Sequence, residues 1–244
     1  MSLSRSVFGS LPGVRRRMQA AWTVLTDPFV KLSYAQEGED LILERIFGVR
    51  SDGFYVDVGA HHPKRFSNTY LFYLKKWSGV NIDATPGSME AFRQTRPRDR
   101  NIETAISLQR APLTFNVYND PALNSTLCAE RRDLGRTQYR VVRQVTVTTS
   151  LLAEVLTQAV PPGRTIDFLT VDVEGMDLEV LQSNDWQRFR PTYVLAEEWR
   201  SQGNELESGQ LVNYMNSKGY ESYCRTMNTI FFHDGLSGTP AGPA

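Results

Sequence analysis

Short apolar runs that end on an acid or a glycine, alternating with segments of helical period, constrain this chain more than any other feature. Gly53-Phe54-Tyr55-Val56-Asp57-Val58-Gly59 and Gly79-Val80-Asn81-Ile82-Asp83 read as buried strands, as do residues 101–106, 166–173 and 192–198. Leu41-Ile42-Leu43 with Ile46-Phe47 forms a helical stripe ahead of the first strand, and 69–77, 88–95, 151–158 and 177–181 carry helical patterns between the others. This is how βαβ units and a mainly parallel sheet show themselves. Residues 113–118 and 145–148 read as strands on an excursion. The last two runs, 220–224 and 229–233, are joined by Thr226-Met227-Asn228 and read as a hairpin behind a helix at 211–215. The pattern predicts an α/β, Rossmann-like fold: a mainly parallel sheet closed by a C-terminal antiparallel hairpin, with helices on both faces. A ligand then belongs beyond the carboxyl ends of the strands.

Length and composition bound the rest. A chain of 244 residues suits one large domain, and 27 Lys+Arg against 27 Asp+Glu argue against a long nucleic acid as the main partner. Cys128 and Cys224 are far apart and form no C-x-x-C pair, so neither a disulfide framework nor a thiolate zinc site is indicated. No apolar run approaches the roughly 20 residues that span a bilayer, and a cytoplasmic location is expected. Residues 1–33, with Arg15-Arg16-Arg17 and a short amphipathic segment ending at Asp27-Pro28, read as an N-terminal arm. It is expected to be a loosely docked extension, with weak contact to a membrane surface as the alternative. The main domain is expected over 34–235, followed by a flexible tail over 236–244.

The strand ends carry the polar residues. Asp57-Val58-Gly59-Ala60-His61 leaves the first strand through small residues that let a ligand approach the backbone. The G-x-G-x-x-G of a dinucleotide fold is missing, because Gly59 is followed by Ala60-His61-His62-Pro63, which weighs against an NAD-dependent oxidoreductase. Asp83 closes the second strand, where a carboxylate can accept both hydroxyls of a ribose; a loop acid before Pro86 is the structural alternative. Asp172-Val173-Glu174-Gly175 ends the most apolar strand and Glu197-Glu198 the next. Since neighbouring strands lie about 4.8 Å apart, Asp172, Glu197 and Glu198 could converge on one hard cation, or Glu197 and Glu198 could simply solvate a strand end beside Arg200. His61 and His62 are candidates for a base or a ligand, with a packing role preferred for His61.

These segments, together with Tyr34-Ala35-Gln36-Glu37-Gly38-Glu39-Asp40, Phe66-Ser67-Asn68-Thr69, Asn81-Ile82-Asp83-Ala84 and Asp172 through Leu181, resemble the FkbM family of S-adenosylmethionine-dependent methyltransferases. The resemblance runs in order over about 34–198. It implies a class I methyltransferase fold, with the methionine end of the cofactor near Asp57, Gly59, Ala60, His61 and Asn68, its ribose on Asp83 and its adenine near Ala105, Ile106 and Ser107. It also implies O-methylation, often of a sugar hydroxyl of a glycan or glycosylated metabolite, with Mg²⁺ held in some relatives by acids that look like Asp172, Glu197 and Glu198 here. One relative has a histidine three residues after the acid corresponding to Asp172, where this chain has Gly175, so Glu174 or His62 stands as the candidate proton acceptor beside Asp172.

The expected activity is therefore metal-assisted O-methylation of a sugar. The alternatives are methylation of a lipid or small metabolite, and a cofactor-binding subunit without catalysis in a glycan-assembly complex. Asp83 is expected to bind cofactor without supporting the fold. The segment 118–126, rich in turn formers and hydroxyl-bonding side chains and followed by Arg131, Arg132 and Arg136, is expected to recognise the acceptor.

Overall fold

A computed structural model describes residues 12–126, 138–198 and 209–236, so Arg131, Arg132, Arg136, Arg200 and Cys128 lie outside the described residues. The chain divides into two compact units, Met1–Ser33 and Tyr34–Ala244. Among the described residues the first contains one helix, α1 (Pro12–Thr26). At 15 residues it is longer than the short segment expected, because nothing between Arg15 and Thr26 breaks a helix: the glycine lies in the first turn and the next proline is Pro28. Near its end the hydroxyls of Thr23 and Thr26 donate to the carbonyls of Gln19 and Trp22 at 2.9 and 2.8 Å. Among the described residues no helix is long and apolar enough to cross a membrane.

The second unit opens with α2 (Glu39–Phe47) and then β1 (Phe54–Val58), α3 (Tyr70–Leu74), β2 (Ser78–Asp83), α4 (Met89–Thr95) and β3 (Arg100–Glu103). After an excursion come α5 (Leu152–Ala159), β7 (Phe168–Val171), α6 (Asp177–Gln182), β8 (Tyr193–Glu197), α7 (Gln210–Ser217), β9 (Tyr220–Arg225) and β10 (Thr229–Asp234). Seven strands form one sheet in the order β3-β2-β1-β7-β8-β10-β9. The first five are parallel, and β10 runs antiparallel to both β8 and β9, which is the expected hairpin closure. Alternation along β1 sends Val56 and Val58 to one face and Tyr55 to the other. On the first face they meet Leu156 of α5, Val180 of α6 and Met215 of α7, and on the second Tyr55 joins Phe168, Leu195, Leu43 of α2, Phe72 of α3 and Trp77. Both faces are thus covered by helices, as a parallel sheet requires.

The run 101–106 is not one strand. After β3 the chain turns at Thr104, whose amide donates to the Asp83 carbonyl at 3.0 Å, and β4 (Ala105–Ile106) pairs in parallel with β6 (Val141–Ser150). β6 in turn pairs antiparallel with β5 (Pro112–Tyr118), giving a separate three-stranded sheet. Polarity at Thr104 marks the break, because its hydroxyl reaches the Thr148 carbonyl and Ser150 across the two strands. The helix expected over 69–77 ends early at Leu74, and Lys76 takes a left-handed φ of 71°. That turn lets the Trp77 ring enter the core while its Nε1 donates to the Arg50 carbonyl at 2.8 Å.

Candidate active site

The carboxyl ends of β1, β2 and β7 open onto a cleft of about 420 Å³, within the size range of small-molecule and cofactor sites. Its floor starts at Gly59, where φ is +84° and a Cβ would lie 1.7 Å from the Asp172 carbonyl oxygen. Only glycine fits, and the strand ends close on one another through Gly59 and Ala60 amides donating to the Ile82 carbonyl and the Asp172 amide donating to Val58. Asp83 lies at the end of β2, buried in the cleft wall. Its two oxygens accept the amides of His61 at 2.8 Å and Thr85 at 2.7 Å, leaving each with a further lone pair for a ligand hydroxyl. Thr104, Ala105, Ile106 and Phe115 form an apolar wall beyond it.

A short 3-10 turn (Pro121–Leu123) and its flanks continue the lining, with Asp120 capping the turn through the Ala122 amide. Asn124 ties this wall to the main sheet: its Oδ1 accepts the Tyr118 amide and its Nδ2 donates to Thr85 Oγ1, two residues past Asp83. At the other end of the cleft stand Gln36, Phe66, Asp172, Glu174 and Met176, while His61 lines it on the Asp83 side, its amide on that carboxylate. His61 and Glu174 both hold left-handed backbone conformations, φ 51° and 60°, at the turns that leave β1 and β7.

Asp172 also lines a smaller neighbouring pocket with Glu37, Glu39, Asn68, Thr170 and Glu197. Burial pushes the Asp172 carboxyl well up, and the charges of Glu197, Glu174, Asp177 and Asp57 push it further. Burial likewise raises Glu197, with Asp177 and Glu174 adding to it. Asp177 is pushed up to about 7 by burial, although it accepts the Glu197 and Gly175 amides. Neighbouring acids in a poorly solvated site hold protons that isolated carboxylates release.

The expected site residues separate into groups. Gly59, His61, Asp83, Ala105, Asp172 and Glu174 line the cleft, and Asn68 lines the smaller pocket, where it donates to Thr170 Oγ1 at 3.0 Å. Asp57 does not line the cleft: it is buried inside β1, accepts a 2.6 Å bond from Thr69 Oγ1, and is pushed up to about 6 by burial. Ala60 packs on Met89 and Phe92, and the Ser107 amide donates to the Ser150 carbonyl. His62 faces its own loop, its Nδ1 accepting the Lys64 and Arg65 amides at 3.1 and 3.0 Å. Glu198 is drawn away from Asp172 and Glu197, with Oε1 on the Gly209 amide at 2.9 Å and Oε2 4.0 Å from Arg225. Among the described residues no group of three His, Cys, Asp or Glu side chains is arranged to hold a metal ion.

Sequence reasoning missed what supports this site. Arg96, fully buried, donates to Asp99 at 2.8 Å, to the Tyr55 hydroxyl at 2.8 Å and to Thr69 Oγ1 at 2.9 Å, and Thr69 in turn holds Asp57. Asp99 also accepts from Tyr55, the Gly79 amide and Asn81. The i, i+3 spacing of Arg96 and Asp99 around Pro97 was the available signal. Glu37 and Glu39 enter the sequence reading only within the segment Tyr34 to Asp40 that carries the family resemblance, with no contact assigned to them. They reach the β9–β10 turn, through Asn228 at 2.8 Å and Thr226 at 3.2 Å.

Solved structures of similar chain path include a TehB-like SAM-dependent methyltransferase from Corynebacterium glutamicum, at 11% identity and TM-score 0.41 over 92% of this chain and 100% of that one. Fibrillarin from Aeropyrum pernix matches at 11% identity and TM-score 0.46 over 80% and 73% of the two chains. An amino pentose methyltransferase from Micromonospora echinaspora matches at 10% identity and TM-score 0.42 over 89% and 96%. A comparison with curated protein sequences returned no match. The model of the methyltransferase FkbM domain matches residues 57–222, from the middle of β1 into β9, and with that match the chain belongs to the FkbM family of methyltransferases.

Proposed function

We propose that this S-adenosylmethionine-dependent methyltransferase methylates a hydroxyl oxygen, and that the hydroxyl belongs to a sugar of a glycan or glycosylated metabolite. One observation carries the reading: Asp172 lines both the large cleft and the smaller acidic pocket, so proton-holding carboxyls border the space available to a cofactor. The cofactor, when bound, supplies a methyl made electrophilic by the sulfonium. Asp83 suits the ribose hydroxyls, with its spare lone pairs turned to the cleft, and Gly59 suits a close backbone approach. The His61 ring lines the same space with its Nε2 buried and lacking a hydrogen-bond partner among the described residues, so a ligand donor or acceptor would find it unengaged.

The acids at the other end take the acceptor. A hydroxyl becomes acidic as its oxygen bonds to the methyl, and a carboxyl of raised proton affinity accepts that proton more readily than an ordinary one once it has released its own. Asp172, backed by Glu197 and with Glu174 beside it, does this work; His62, whose Nδ1 is committed to its loop, does not. A divalent cation on Asp172 and Glu197 would relieve their repulsion and polarise the hydroxyl. Glu198 is committed elsewhere and the described residues complete no three-ligand set, so no step is routed through a metal.

The test is a panel of glycan, lipid and small-metabolite acceptors incubated with methyl-labelled cofactor. Label on a sugar oxygen with equimolar S-adenosylhomocysteine supports the reading. Label confined to lipid or small metabolites contradicts the acceptor class, and cofactor binding without S-adenosylhomocysteine from any acceptor would indicate a binding subunit.

A further inference from the structure

The segment that the sequence suggests for the acceptor sits at the other end of the cleft. Ser125 is pinned there by its backbone, its amide and carbonyl both exchanging hydrogen bonds with Asn116 of β5 at 3.2 and 2.8 Å. The residue is only 2% exposed and lines the cleft, and its Oγ is buried with no hydrogen-bond partner among the described residues. A buried hydroxyl without a partner carries a desolvation cost that a ligand can remove. The next residue back, Asn124, reaches Thr85, and the Thr85 amide donates to Asp83. Ser125 is therefore latched to the Asp83 end of the cleft, beside the apolar wall of Ala105, Ile106 and Phe115, and not to the Asp172 end where the acceptor's hydroxyl must lie.

We infer that Ser125 is a cofactor-specificity residue: its Oγ hydrogen-bonds the nucleoside half of S-adenosylmethionine, and the 120–126 wall is a cover for that nucleoside. The inference rests on the cofactor reading given above. It reassigns this segment from acceptor to cofactor, and it leaves acceptor recognition to the side of the cleft around Gln36, Phe66 and Met176.

Calorimetric titration of wild type and Ser125→Ala with S-adenosylhomocysteine, and separately with 5′-methylthioadenosine, tests it. The second probe keeps the nucleoside and lacks the amino acid. Loss of one neutral hydrogen bond should weaken both probes by the same roughly three- to tenfold factor. Melting of the free proteins guards against misfolding. Because Oγ is unpaired before ligand arrives, Ser125→Ala should melt at or above the wild-type temperature, yet show a smaller rise on adding S-adenosylhomocysteine. Wild-type affinity of Ser125→Ala for both probes overturns the inference while leaving the cofactor reading standing, as does a defect seen with S-adenosylhomocysteine alone, which would move Ser125 to the amino-acid end. A variant that melts well below wild type also overturns it, since Oγ would then be a structural bond. Failure of the wild type to bind either probe removes the cofactor reading itself.

Discussion

The carboxylate of Asp83 holds two backbone amides as well as facing the cleft, so its removal has two effects that can be measured apart. Asp83→Ala should weaken S-adenosylmethionine binding by about 1.5–3 kcal/mol, the range for losing hydrogen bonds to a charged acceptor. The sequence-based expectation that the fold would be untouched needs correction. The His61 and Thr85 amides lose their acceptor, and His61 is already in a left-handed conformation, so urea unfolding should show a further loss of about 1–3 kcal/mol. Wild-type stability with lost affinity would mean that water replaces the carboxylate at both amides. The neighbouring histidines show what sequence can and cannot convey at this scale. Both sit in one turn, but only the folded loop decides that His62 caps its own backbone while His61 keeps Nε2 buried without a hydrogen-bond partner among the described residues.

At the scale of elements, two contacts decide whether the strand ends form a site. Gly59→Ala would combine a left-handed backbone with a Cβ driven into the Asp172 carbonyl, and should cost about 2–5 kcal/mol in urea unfolding, from roughly 1–2 for the backbone and 1–3 for the overlap. A cost under about 1 kcal/mol would mean that β1 and β7 can separate without penalty. Arg96→Ala should cost about 3–5 kcal/mol because it strands the buried Asp99, and the double variant Arg96→Met with Asp99→Leu should cost less than the two single variants added together. Strictly additive losses would argue against a coupled pair. The parallel strands and their terminal acids were legible because fully buried strands are continuous apolar runs and a polar residue at their end is conspicuous, as at Asp83 and Asp172. The split of the third run at Thr104 was not legible, since Glu103-Thr104 is no more polar than other pairs tolerated within a strand and only the pairing of Ala105 and Ile106 with β6 separates them. The Arg96 network was hidden for a related reason. Its members come from β1, the loop before α3, β2 and the turn after α4, and no window of sequence contains them together.

Over the whole molecule the acids make stability depend on pH. Burial lifts Asp57 to about 6 and Asp177 to about 7, and raises Asp172 as well, so the folded chain keeps protons that the unfolded chain releases near the ordinary carboxylate value of about 4. That contribution is complete below about pH 4 and is lost as pH rises through the folded values, so the melting temperature of the free protein should fall between pH 5 and 8. Asp172→Asn should flatten the fall, and an unchanged slope would show that Asp172 does not share in it. Because the proton is assigned to the carboxylates, turnover should survive EDTA at full rate. Loss of turnover restored by Mg²⁺ would put a cation between Asp172 and Glu197. In the proposed function the cleft has a cofactor end and a proton-accepting end, and the most direct measurement is calorimetric S-adenosylmethionine binding by Asp83→Ala and Asp172→Asn side by side. The predicted result is a loss of affinity confined to Asp83→Ala, with Asp172→Asn binding cofactor like wild type; cofactor affinity kept by Asp83→Ala and lost by a folded Asp172→Asn would contradict it.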